Sequence, residues 1–242
     1  MRRPRRVTEM PAEARPLTIE IDAEQRVSAV LIAPEDARAA YVFAHGAGAG
    51  MRHAFMTQVA EGLGTRGIAT LRFQFPSMER GSRRPDSPAV AHAAVRAAVE
   101  MAARLLPRLP LLAGGKSFGG RMTSQAQALE PLQNVHGLVF FGFPLHPAGK
   151  PAIDRATHLQ DVQLPMLFLQ GTNDALAEVA LLRSVVEPLG PRATLHLVDG
   201  ADHAFHVPAR SGRTDAQVRD ELLDRAASWI DQNVHGRPLA SH

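Results

Sequence analysis

The 242-residue chain contains no cysteine. Disulfides, thiolate metal sites and a cysteine nucleophile are excluded, so any covalent chemistry rests on another side chain. Aromatic residues are scarce at 5%, against 45% hydrophobic residues in all, which predicts a core filled by aliphatic side chains. Lysine is nearly absent as well: Lys116 and Lys150 are the only two, and arginine supplies the rest of the positive charge. That skew accounts for a sequence pI of 10.1 beside a formal net charge of only +3, because arginine stays protonated at high pH.

Residues 1–16 carry five arginines against Glu9 and Glu13, which is the whole net charge of +3, and the remainder is close to neutral. Such a segment reads as a solvated, flexible tail rather than a contact for RNA, DNA or acidic lipid. No apolar run of signal-peptide length follows its arginine pairs, so neither a secretory nor a twin-arginine signal is expected. Nor does any stretch approach the roughly twenty apolar residues of a membrane helix. The expectation is a soluble cytoplasmic protein, monomeric or homodimeric, with a tail over 1–16 and a single domain over 17–242.

Apolar patterning supplies the architecture. Leu17–Ile21 and Val27–Ala33 read as strands joined by a hairpin at Asp22-Ala23-Glu24. Ala40–Phe43, Ile68–Phe73, a run at Leu109–Ala113, Val135–Phe141, Pro165–Gln170 and Thr194–Val198 read as further strands. Between them, apolar residues recur at helical spacing: Phe55, Val59 and Leu63; Val90, Ala94, Ala97, Met101 and Leu105; Ala177–Leu189; and Val218, Leu222, Ala226, Trp229 and Ile230. A polar, proline-broken loop is expected from the end of the Phe73 strand through Pro88. An antiparallel entry followed by alternating strand and helix predicts a doubly wound, mostly parallel α/β sheet of about eight strands with helices on both faces. Reacting groups in such sheets collect on loops at the carboxyl ends of the strands.

The most informative of these loops is Gly115-Lys116-Ser117-Phe118-Gly119. An apolar strand, a sharp G-x-S-x-G turn and a helix place one serine hydroxyl at the sheet's edge, with Ser117 as candidate nucleophile. Gly115-Lys116-Ser117 also matches the end of a phosphate-binding loop, but the first glycine of that pattern falls on Pro110 and the preceding residues are apolar. A third reading makes Ser117 a helix cap. The His45-Gly46-Ala47-Gly48 loop supplies small residues where the second half of an oxyanion hole belongs, with the N–H groups of Phe118 and Ala47 as expected donors. Its glycines do not fit G-x-G-x-x-G, whose third glycine falls on Met51. Asp174, in Gly171-Thr172-Asn173-Asp174, and His203, in the loop after the last strand, complete the chain order Ser…Asp…His. His206 is the alternative base.

With those residues in place, the chain resembles the α/β-hydrolase superfamily over about residues 17–235, and within it the small, lidless, dienelactone-hydrolase-like members. Gly115–Arg121 and Phe141-Gly142-Phe143-Pro144-Leu145-His146-Pro147 resemble a bacterial branch related to animal testis-expressed and chromatin-complex subunits. The resemblance implies an α/β-hydrolase fold without a large cap, and a serine hydrolase acting on small or medium esters or thioesters without metal or organic cofactor. Because some relatives in that branch have a scaffolding role, a non-catalytic interaction module is the second reading. A small acyl substrate is the expected partner. His45, Met51, Phe55, Phe73, Pro76, Phe143 and Phe205 are the candidate lining of its pocket, and Arg80, Arg83, Arg84 and Lys150 lie on loops able to face the rim.

Overall fold

The computed structural model describes residues 13–82 and 84–234. Its eight strands are β1 (Arg15–Glu20), β2 (Arg26–Ile32), β3 (Ala39–Ala44), β4 (Ile68–Phe73), β5 (Leu111–Lys116), β6 (Val135–Phe141), β7 (Met166–Gly171) and β8 (Ala193–Val198). They form one sheet in the order β1-β2-β4-β3-β5-β6-β7-β8. The first two pairings, β1 with β2 and β2 with β4, are antiparallel, and all the others are parallel. Asp22 makes the expected hairpin by accepting the N–H groups of Glu24 and Gln25 through Oδ1, at 2.9 and 2.8 Å.

The connections are α1 (Ala54–Gly64), α2 (Pro76–Glu79), α3 (Pro88–Leu105), α4 (Phe118–Leu129), α5 (Val179–Val186) and α6 (Asp215–Val234). Every residue of β3 is buried, and its alternation divides the strand between two cores. Ala40, Val42 and Ala44 face the layer of α3, α4 and α5, whereas Ala39, Tyr41 and Phe43 face α1 and α6. Each large apolar side chain so enclosed contributes roughly 1.5–3 kcal/mol. The aromatics, few as they are, concentrate in these cores: Phe140, Phe143 and Phe168 meet with ring centroids 4.9–5.8 Å apart. Aliphatic residues supply most of the buried side chains, with these rings packed among them.

Four boundaries depart from the sequence reading. The stretch read as loop before Pro88 contains α2, opened by Pro76, and Pro88 itself starts α3, since a proline at the first helical position gives up no needed N–H. The helix expected over Ala177–Leu189 stops at Val186 and continues as 3₁₀ turns over Glu187–Arg192, where Pro188 and Pro191 lack the donors an α-helix requires. β5 begins two residues later than expected and extends through Gly114, Gly115 and Lys116, because β3 and β6 pair with it on both sides. Between β6 and β7 stands one 3₁₀ helix, Asp154–Asp161, and no multi-helix cap. Among the described residues no helix is long and apolar enough to cross a membrane. Of the arginine-rich tail expected over 1–16, residues 1–12 lie outside the described residues, and Arg15 and Pro16 belong to β1.

Candidate active site

Strand order reverses about β3: β4 lies on one side of it and β5 on the other. In sheets of this kind that reversal is where the loops at the carboxyl ends of the strands can hold a ligand. Ser117 stands at this edge, between β5 and α4, with φ 51° and ψ −114°. That conformation is costly for a residue with a side chain, of order 1–3 kcal/mol, and persists only where the surroundings enforce it. They do so here by close approach. A Cβ on Gly115 would lie 2.4 Å from the Ala44 carbonyl oxygen, and one on Gly119 would lie 2.5 Å from the same atom. The bend therefore presses directly against the end of β3.

The hydroxyl of Ser117 meets His203. Its Oγ is 2.9 Å from Nε2 of the imidazole, and Nδ1 on the other side is 2.6 Å from Oδ2 of Asp174. With the proton on Nδ1, His203 donates to the carboxylate and accepts from the serine. The Asp174 side chain is fully buried, yet its oxygens are well supplied with donors. Oδ2 also accepts from Nε2 of Gln170 at 2.5 Å, and Oδ1 accepts the N–H of Leu176 at 2.8 Å. Gln170 is itself fixed by accepting the N–H of Phe143. The His203 loop closes on Asp202, whose Oδ1 accepts the N–H groups of Ala204 and His206.

His206, the alternative base, points elsewhere. It is exposed and pairs at 2.9 Å with Asp215 at the start of α6, which raises its pKa. Lys116, the variable position of the bend by sequence, is not idle. Its Nζ donates to the His203 carbonyl at 2.6 Å and sits 5.4 and 5.9 Å from the ring centroids of Phe205 and Phe55. Burial lowers its pKa to about 8, an effect partly offset by Asp174 and Asp202. The phosphate-loop reading fails on the same geometry, because Gly114–Lys116 are strand and the ammonium is directed at a protein carbonyl.

The loop after β3 is held from below. His45 is buried, donates from Nδ1 to the Gly46 carbonyl at 2.7 Å and accepts the N–H of Phe75 on Nε2 at 3.0 Å. Burial pushes its pKa down to about 4, so it is neutral at ordinary pH. Further along, Gln74 accepts the N–H of Met51, and the buried Arg72 donates to the Met51 carbonyl and to Thr57. These anchors leave Ala47 exposed, with no backbone acceptor for its N–H among the described residues. Gly46 lies beside Ser117: a Cβ there would be 3.8 Å from that of the serine. Phe118 opens α4, where first-turn N–H groups have no intrahelical acceptor.

The expected pocket needs correction. Phe73 and Phe143 are fully buried in the core, and His45, Met51 and Pro76 are buried parts of the frame. Their positions at strand ends suggested a lining, but ring packing claims them: Phe73 packs on Phe75, and Phe143 on Phe140 and Phe168. Phe55 and Phe205 do come together beside the site, stacked with centroids 5.8 Å apart. Of the candidate rim cations, Arg80 is tied to Asp86, Arg84 and Lys150 are exposed, and Arg83 lies outside the described residues. Sequence reasoning passed over Gln170, Asp202, Arg72 and Gln74. The polar residues within apolar strands, Arg72 and Gln170, were the available signal, since a buried polar group must be paired.

An eight-stranded, mostly parallel sheet with a serine on a strained turn, and a histidine and an aspartate on the loops after β8 and β7, defines an α/β-hydrolase architecture. Residues 37–231 match the family described as "Alpha/beta hydrolase domain", and the chain belongs to that family. Within it the protein is a small, lidless member, similar in fold to several solved structures. A dienelactone hydrolase from Anabaena variabilis ATCC 29413 aligns with TM-score 0.75 and 21% identity over 93% of this chain and 99% of its own. A serine hydrolase without lid from Xanthomonas campestris gives 0.69 and 23%, over 91% and 96%. The esterase domain of a Rhodothermus marinus protein gives 0.71 and 17%, over 92% and 99%.

Proposed function

We propose that this protein is a serine hydrolase that cleaves small or medium carboxylic esters or thioesters through an acyl-enzyme. The observation that carries the reading is the hydrogen-bonded line from Ser117 Oγ through His203 to Asp174, at 2.9 and 2.6 Å, on a serine held at positive φ. In the first step the Ser117 hydroxyl passes its proton to His203 Nε2 while Oγ bonds to the substrate carbonyl carbon. Asp174 keeps the proton of the neutral ring on Nδ1 and stabilises the imidazolium that forms. The oxyanion is received by the N–H groups of Phe118 and Ala47. Collapse expels the alcohol or thiol, which takes the proton from His203, and a water activated by the same ring then releases the acid. The likeness in fold to an esterase domain and a dienelactone hydrolase supports an ester-type bond as the target.

An alkyl fluorophosphonate bearing a fluorophore tests this directly. Labelling of the folded protein that is lost in Ser117→Ala is the expected result. Failure of the folded wild-type protein to label would favour an interaction module built on a hydrolase fold. A chain-length series of p-nitrophenyl esters, read as kcat/KM, then ranks the acyl groups.

A further inference from the structure

One turn into α4, Arg121 follows Ser117 at a spacing of four residues, and its N–H closes that turn on the Ser117 carbonyl at 3.1 Å. Side chains at this spacing share a helix face and lean towards the N-terminus. Arg121 accordingly extends back over the ring of Phe118, the residue next to the nucleophile, with its Cζ 5.8 Å from the centroid. Its Nε is buried with no hydrogen-bond partner, and no carboxylate pairs with it among the described residues. The neighbouring charge that acts on it is Arg155, of the same sign, from the 3₁₀ helix Asp154–Asp161 between β6 and β7. Two imidazoles close the spot, His158 bonded to Ser124 and His92 to Gln125, and burial and the arginines keep both lowered in pKa.

Two partly enclosed guanidiniums that repel one another, with a donor left unused, form a cationic site lacking its counter-ion. Arg96, on the neighbouring helix α3, differs in that its guanidinium donates to the carbonyls of Ala126 and Glu130. We propose that Arg121, assisted by Arg155, binds an anionic oxygen group at the far end of the acyl substrate, so that the preferred substrates are half-esters or thioesters carrying a second, free carboxylate or a phosphate. A guanidinium fork matches either anion. This deepens the hydrolase reading and rests on it, since the acyl carbonyl must sit at Ser117 while the anion reaches Arg121. The rim arginines suggested by the sequence are not needed.

Two measurements on the full-length protein separate the subsite from the chemistry. First, kcat/KM is compared for p-nitrophenyl hydrogen adipate and its neutral methyl ester, with Ser117→Ala protein as background. The wild type is expected to prefer the anionic ester by tenfold or more, and the preference is expected to fall towards one in Arg121→Gln and to shrink in Arg155→Gln. Arg104→Gln, an exposed arginine near the end of α3, is expected to keep it. Second, the Tm of Ser117→Ala is measured with adipate, with butyl phosphate and with neutral adipamide. A rise with adipate or butyl phosphate, absent with adipamide and lost in the Ser117→Ala/Arg121→Gln double variant, supports the site and identifies which anion it takes. Equal kcat/KM for the two esters together with no anion-specific rise in Tm overturns the subsite while leaving the hydrolase intact. An anion-specific rise without turnover of either ester overturns the hydrolase reading and keeps the anion site.

Discussion

The ammonium of Lys116 is bonded to the backbone carbonyl of His203 at 2.6 Å, tying the residue before Ser117 to the residue whose imidazole meets the Ser117 hydroxyl. The bond fixes the imidazole from behind, while Phe55 and Phe205 enclose the ammonium from the side. Replacing Lys116 by Met removes the donor and leaves the carbonyl unpaired. We expect kcat/KM to fall roughly tenfold or more, in keeping with about 1–3 kcal/mol for an unsatisfied buried group, with a larger effect on kcat than on KM. Arginine at this position is expected to restore part of the loss, and steady-state kinetics of the three proteins checks it.

The same lysine has a signature in stability. Its pKa falls from 10.5 in the unfolded chain to about 8 in the fold, so between those values the unfolded state binds more protons. Stability contributed by this site therefore rises as pH increases from about 8 to 10.5, as the cost of burying the ammonium is relieved. The difference in Tm between wild type and Lys116→Met is expected to shift in favour of the wild type across that window. A flat difference contradicts it.

His45 and His158 shift stability with the same sign as Lys116, in a lower pH window. Both are lowered from 6.5 to about 4 by burial, so the unfolded state binds more protons between pH 6.5 and 4. Stability is lost as pH falls through this window, by up to about 3 kcal/mol for a shift of this size. Urea unfolding at pH 7 and pH 4.5 is expected to show the loss, and His158→Gln is expected to reduce it. His45→Ala also strips the acceptor from the Phe75 N–H, which costs about 1–3 kcal/mol at neutral pH.

Asp174→Asn leaves the packing intact but spoils the tautomer of His203, and a loss of about four powers of ten in kcat is expected. His203→Ala is expected to lose at least as much. His206→Ala, whose ring is exposed and paired with Asp215, is expected to stay within a few-fold of wild type. The reverse ranking of the two histidines in an ester assay would remove His203 as base.

Gly119→Ala tests the bend itself. The added methyl would stand 2.5–2.6 Å from the backbone of Ala44 and His45, and neither can retreat without moving β3. A loss of several kcal/mol, or failure to fold, is expected from overpacking against backbone, visible as a lowered urea midpoint.

Much of this was legible from patterning. The strands at Ile68–Phe73 and Val135–Phe141 fall where the apolar runs placed them, because strands covered on both faces are predominantly apolar, with Arg72 a paired exception. The Ser, Asp and His loops were equally legible, because strand ends at one edge of a parallel sheet leave few places for reactive groups. The helix at Pro76–Glu79 was not, since four residues carry no period. The lining was missed for a different reason: Phe73 ends β4 and Phe143 lies two residues past β6, and only ring packing decides whether such a side chain turns towards the core or the edge of the sheet.

Sequence alone determined the chemistry available: no thiol, a serine on a glycine-flanked turn, and an aspartate and a histidine on later strand-end loops. Those are properties of residue type and local spacing, and they survive without knowledge of neighbours. Tertiary structure decided everything that depends on residues far apart in the chain. It set His203 rather than His206 against Ser117, gave Lys116 the His203 carbonyl across 87 positions, set Gln170 against Asp174, and left Arg121 near Arg155 with no acid paired to it among the described residues. Distance and burial set hydrogen bonding and charge, and neither is encoded at any single position.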